Sequence, residues 1–163
     1  QLPAAELCFP ARDARFLAGD KALDPGQPQA QLRGSYQRVA ARPDRLLAEG
    51  DRVGSLQVIA APGHTPGQIA LFDPRDRALI VGDAFSTRGG LAVAGKLNWR
   101  FPLPAIATWH RPTALASARR LRALDPALLA TGHGDLLAQP LAAMDAAIAA
   151  AAQRVAEDAT RGA

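Results

Sequence analysis

Two short runs constrain this chain more than anything else in it: LQVIA at 56–60 and ALIVG at 78–82. Both are nearly continuous apolar segments, the pattern of strands buried on both faces rather than of a strand with one wet side. Asp73-Pro74-Arg75-Asp76, a strong turn signal, lies between the second run and another strand-like stretch, Gln68–Phe72. The expected strands are therefore Arg52–Val53 and Leu56–Ala60 around a turn at Gly54-Ser55, then Gln68–Phe72 and Ala78–Val81.

The flanks add helices. Pro112 sits at a helix start, and Leu115, Ala118, Leu121, Arg122 and Leu124 follow at helical spacing until Asp125-Pro126. Ala127–Thr131 reads as one more apolar strand, and Pro140 opens an Ala-rich helix to about Asp158 with Leu141, Met144, Ile148 and Val155 on one stripe. Near the start, Glu6–Phe9 reads as a strand and Pro10–Leu17 as a helix with Gly19 as its C-terminal cap. Asp44–Glu49 reads as a helical turn or a strand, before a Gly50-Asp51 turn. Residues 24–43 and 84–110 have little periodicity and read as long loops, which in small domains often carry binding residues. Strands first and helices after give an α/β or α+β class, and a length of 163 residues fits one domain, 1–163.

Composition removes several alternatives. One cysteine, Cys8, excludes an internal disulfide and a Cys-rich zinc ribbon, suits a reducing cytoplasm, and reads as a small buried apolar residue in its strand. No apolar run approaches the roughly 18 residues of a membrane span. The net charge is +4 with 19 basic residues, but they are scattered and often beside Asp, so they do not make a nucleic-acid-binding block. Their densest cluster, Arg119, Arg120 and Arg122, reads as a solvated helix face. Only three histidines occur, His64, His110 and His133, so no site can take four from this chain.

Three segments place a metal-type ligand directly after an expected strand: Ala61-Pro62-Gly63-His64-Thr65-Pro66-Gly67, Val81-Gly82-Asp83 and Thr131-Gly132-His133-Gly134. Strand ends flanked by glycine put side chains at the rim of a sheet, where loops converge. Imidazole nitrogen and carboxylate oxygen both suit zinc or a similar divalent ion. Taken singly, each segment has an ordinary reading as a turn or a helix cap. In this order, after three separate strands, they point together to a metal site.

These segments resemble the second half of the metal motif set of the metallo-β-lactamase superfamily. The strand pair between His64 and Asp83, its Asp-Pro turn and the Glu49-Gly50-Asp51 lead-in match as well, so the resemblance covers about residues 46–138. It implies an α+β fold, the four-layer αβ/βα sandwich, of which this chain supplies the second half and the end of the first and is incomplete at the N-terminus. It also implies two divalent metals: zinc, with iron or manganese as alternatives. His64 would bind one, His133 the other, and Asp83 would bridge them. In the complete family site a metal-bound hydroxide attacks an ester, thioester, lactone, amide or phosphoester bond of a small-molecule substrate. The family's HxHxDH motif should precede His64, yet no histidine does, and the expectation is that it lies immediately upstream of Gln1. With two ligands per metal, the chain as it stands is expected to bind metal weakly and to hydrolyse nothing. The alternative is a degenerate member that acts as a binding or scaffold module. A nucleic-acid processor of the same superfamily has only the scattered arginines behind it.

The remaining polar and aromatic candidates carry less. His110 beside Trp109 reads as a surface or cap residue, and Asp51 as ordering a loop near the site. Asn98–Pro102 and Tyr36 read equally as pocket lining or loop packing. Ser86 and Thr87 lie close after Asp83, but spacing supports no Ser-His-Asp arrangement. Self-association through a sheet edge or apolar face is a further expectation.

Overall fold

A computed structural model describes residues 5–95 and 106–161. Strand β1 (Cys8–Pro10), helix α1 (Ala14–Leu17) and strand β2 (Arg45–Leu47) come first, followed by β3 (Arg52–Val53), β4 (Leu56–Ala60), β5 (Ile69–Asp73) and β6 (Ala78–Ile80). After a 3-10 turn at Gly82–Ala84 come β7 (Phe85–Ser86) and β8 (Ala92–Val93), then α2 (Arg111–Ala123), β9 (Leu128–Ala130), β10 (Leu137–Ala138) and α3 (Leu141–Arg161).

Six strands form one mixed sheet in the order β10-β9-β6-β5-β4-β3. Strand β6 pairs with β9 in parallel, and the other pairs in this sheet are antiparallel. Two antiparallel steps separate β4 from β6, so β4, β6 and β9 all run the same way and their C-terminal ends share one end of the sheet. The β5–β6 turn is tied by Asp73, which accepts bonds from the Arg75 guanidinium at 2.6 Å, the Arg75 amide at 3.1 Å and Ser55 Oγ at 2.9 Å. Those Arg75 contacts hold the Asp73 carboxyl well below the usual carboxylate range.

Helices α2 and α3 cover one face of the sheet. Ala114, Ala118 and Leu121 of α2 and Met144 and Ala147 of α3 pack against Ile59, Ala70, Leu79, Val81 and Leu129. Ala118, Leu121 and Met144 lie on the stripes expected from the apolar spacing, and Ala114 and Ala147 join them, whereas Leu141 and Val155 stand outside this core. On α2, Arg122 turns outward and forms a two-pronged pair with Asp145 of α3 at 2.6 and 2.8 Å.

Several expectations need correction, and some open alternatives are decided. The chain does not bury ALIVG on both faces: Leu79 is fully enclosed, but its neighbour Ile80 is 42% exposed. The helices cover one side of the sheet, so β6 shows the alternation of a half-covered strand. Helix α1 spans a single turn, because Pro10 belongs to β1 and the amide of Ala11 continues the pairing to Leu47 at 2.9 Å. Arg45–Leu47 is a strand, parallel to β1. Cys8 is only half-buried. Residues 84–95 are not featureless but hold the β7–β8 pair, with Ala92 and Val93 buried. Gly19 lies one residue past the α1 cap, Ala18, with φ of 87°. Tyr36 stacks its ring 4.5 Å from that of Phe16, which is packing. Asn98–Pro102 lies outside the described residues. No described helix is long and apolar enough to cross a membrane.

Candidate functional site

Each of the three motif segments leaves the sheet at the shared end of the co-directed strands. The loop bearing His64 follows β4, the turn bearing Asp83 follows β6, and the turn bearing His133 follows β9. The turns are laced together by backbone bonds, Val81 N to Ala130 O at 2.8 Å and Gly132 N to Gly82 O at 2.8 Å. As a result, three side chains far apart in sequence meet. His64 Nε2 stands 3.6 Å from Asp83 Oδ2, and His133 Nε2 stands 3.5 Å from Asp83 Oδ1.

The separations are longer than ordinary hydrogen bonds of about 2.7–3.2 Å. Two ligands held at about 2.0–2.1 Å on one tetrahedral ion would stand roughly 3.4 Å apart. Each imidazole addresses its own oxygen of a single carboxylate. Asp83 Oδ1 is buried and accepts no hydrogen bond, although a buried carboxylate oxygen ordinarily has a partner. Gly132 makes room for it, since a Cβ there would fall 2.6 Å from this oxygen. The donor chemistry and spacing fit a divalent ion on each oxygen. The set is short of a complete site: among the described residues, no three His, Cys, Asp or Glu side chains are grouped to hold one ion.

Electrostatics favour the neutral imidazole that a metal requires. Burial pushes His64 below its usual range, His133 pushes the same way, and the Asp83 and Asp13 carboxylates oppose it. His64 Nδ1 lies 3.3 Å from Thr108 Oγ1. A proton on Nδ1 directed at that hydroxyl would leave Nε2 as the free lone pair facing Asp83. Thr108, buried, had no signal in the sequence beyond its place in a loop without periodicity.

The other candidates have structural positions. His110 caps α2, its side chain accepting from the Thr113 amide, and burial lowers its pKa. Asp51 accepts the Ala48 amide at 2.8 Å and orders that turn. Ser86 and Thr87 brace the His133 turn: Thr87 Oγ1 donates to Asp135 O at 2.8 Å, and Ser86 Oγ to His133 O at 3.3 Å. Of the arginine cluster, Arg120 pairs with Glu49 at 3.3 Å and Arg122 with Asp145.

Comparison with known proteins bears on the family and the fold. The family model described as "Metallo-beta-lactamase superfamily" matches residues 4–133. Over 147 residues, the chain is 42% identical to an uncharacterized protein of Bacillus subtilis, YobT, covering 90% of this chain and 63% of that protein. Over 79 residues, 47% of this chain and 30% of the relative, it is 43% identical to a probable metallo-hydrolase of the same organism, YflN. This chain thus spans less than two thirds of the length of either relative. The crystal structure of the metallo-beta-lactamase family protein TTHA1429 from Thermus thermophilus superposes with a TM-score of 0.63 at 24% identity, covering 94% of this chain and 55% of that one, a likeness of fold. With a matching family model across most of its length, an α+β sandwich fold and a relative of high identity, the chain belongs to the metallo-β-lactamase superfamily.

Proposed function

We propose that His64, Asp83 and His133 are three ligands of a two-metal hydrolytic centre. One observation carries the reading: a single carboxylate flanked by two imidazoles, one at each oxygen, 3.6 and 3.5 Å away. His64 belongs to one ion, His133 to the other, and Asp83 to both, and the remaining ligand positions are for donors other than these three. Zinc suits the donor set, with iron and manganese as alternatives. When bound, such ions supply an activated water and polarise the scissile carbonyl.

The protein's own contribution is placement. Burial keeps His64 neutral, Thr108 orients its ring, and the absence of a side chain at Gly132 lets the Asp83 carboxylate sit between the two histidines. The substrates are small molecules with an ester, thioester, lactone or amide bond. The YflN description as a probable metallo-hydrolase supports the reaction class. Residues 1–163 act as part of one domain in a reducing cytoplasm, and the exposed Leu7 and Leu46 beside β1 and β2 offer a surface for self-association, which sedimentation would detect.

The test is metal binding by single variants. Titration with Co²⁺, followed by its ligand-field absorption, should lose both equivalents in Asp83→Ala but only one in His64→Ala and in His133→Ala. Asp83→Ala binding Co²⁺ like the wild type would overturn the assignment. Tight metal binding without turnover of any of the four substrate classes by the full-length protein would instead mark a binding module.

A further inference from the structure

Asp13 is out of place for a helix cap. It stands immediately before α1, where an aspartate ordinarily accepts a backbone amide of the first helical turn. Its side chain makes no such bond; only its backbone carbonyl does, accepting from Phe16 N at 2.9 Å. The carboxylate turns away from its own helix and is almost wholly buried, 8% exposed. Both of its oxygens are committed to one distant loop: Oδ2 accepts from Thr65 Oγ1 and Oδ1 accepts from the Gly67 amide at 2.7 Å.

That loop carries His64, and it is gripped from two sides. Residues 62–64 are held by the chain around the start of α2: Ser117 Oγ donates to Pro62 O at 2.6 Å, His110 N to Gly63 O at 2.9 Å and Trp109 N to His64 O at 3.0 Å. Residues 65–67 are held by Asp13. Approach is close enough that a Cβ on Gly67 would fall 2.6 Å from Asp13 Oδ1. Burying a carboxylate is unfavourable unless strong, well-aimed donors receive it. Here those donors are the first and third residues on the C-terminal side of a candidate ligand, so the start of α1 and the His64 loop are joined by contacts that span 52 and 54 positions.

We propose that Asp13 is a positioning residue: its carboxylate locks residues 65–67 so that His64 presents Nε2 to Asp83. The effect on ligation rests on the metal-centre reading above, while the effect on the loop does not. Partners that orient a ligand in this way typically change metal affinity by about 10–100-fold when removed.

The experiment compares Asp13→Ala and Asp13→Asn with the wild type, all in the full-length protein, by two readouts: amide hydrogen exchange at Gly67 in the metal-free protein, and affinity for Co²⁺. Asp13→Ala should speed Gly67 exchange at least about tenfold and weaken Co²⁺ by about 10–100-fold. Asparagine keeps an oxygen for the Gly67 amide and can donate to Thr65 Oγ1, so it should restore both readouts to within about threefold of wild type. A merely structural loss would not be rescued in metal affinity by this one isostere. Unchanged exchange in Asp13→Ala overturns the proposal, and so does faster exchange with unchanged Co²⁺ affinity, which would make Asp13 a loop anchor with no hold on His64. If the full-length wild type itself takes no Co²⁺, the metal reading fails, and Gly67 exchange alone decides for or against the Asp13 lock. Should Asp13→Ala not fold, Thr65→Val removes one of the two bonds and carries the same comparison.

Discussion

Replacing Gly132 by alanine perturbs the candidate centre without altering any of its three polar side chains. Gly132 does not adopt the left-handed φ of Gly82 or Gly134, so alanine brings no backbone strain and acts only through its methyl group. The added Cβ would stand 2.6 Å from Asp83 Oδ1, about 0.8 Å inside the 3.4 Å at which ordinary contact begins. That oxygen is the end of a side chain, so the carboxylate rather than the backbone should yield. Stability should therefore fall by less than about 1 kcal/mol, below the 1–3 kcal/mol usual for overpacking. The site should suffer far more. Metal–ligand distances are held within about 0.2 Å, and a shift several times larger should weaken Co²⁺ binding by at least about tenfold, or 1.4 kcal/mol. Urea denaturation of the metal-free protein and a Co²⁺ titration measure the two effects separately. Co²⁺ affinity within threefold of wild type would refute the reasoning. So would a stability loss beyond about 3 kcal/mol, which would mean the backbone had taken the strain.

Other outcomes follow from particular contacts. Ser117→Ala leaves the Pro62 carbonyl without the buried hydroxyl that donates to it at 2.6 Å, and should cost about 1–2 kcal/mol by urea denaturation. Leu79→Ala, at a fully enclosed position of β6 under both helices, should cost about 2–5 kcal/mol in the same assay. His110 accepts from the Thr113 amide in its neutral form, and burial keeps its pKa below the ordinary range. The unfolded histidine therefore takes up a proton first, and stability should fall as pH drops through about 6.5. His64, which burial also holds below its usual range, adds a loss of the same sign, so His110→Asn, which retains a capping oxygen, should lessen the slope between about pH 7.5 and 5.5 without abolishing it; an unchanged slope would remove His110 as a source.

Much of the centre was legible one segment at a time. His64, Asp83 and His133 each follow an apolar run and are bracketed by glycine, so local pattern alone places them at strand ends. The residues that support them were not legible. Thr108 meets His64 across 44 positions, from a stretch with no apolar period to mark it, and Asp13 meets Thr65 across 52. Asp13 was further obscured because the expected Pro10–Leu17 helix placed it inside that helix rather than before α1. The expected Pro10–Leu17 helix failed for a related reason: the pairing of β1 with β2, thirty-odd residues away, claimed Pro10 and the Ala11 amide. Likewise Ile80 sits in a run that reads as doubly buried, and only the placement of both helices on one face leaves it 42% exposed.

Residue order by itself determined the strands β3 to β6 and β9, the helices α2 and α3, and the three turns at which ligands could sit, because apolar spacing and Gly/Pro punctuation act over a few residues. The tertiary structure decided that β4, β6 and β9 run in one direction side by side with β5, that their ends meet, and that one carboxylate lies between two imidazoles. That decision rests on pairing between strands distant in sequence and on helices packed across them, interactions that no local window contains.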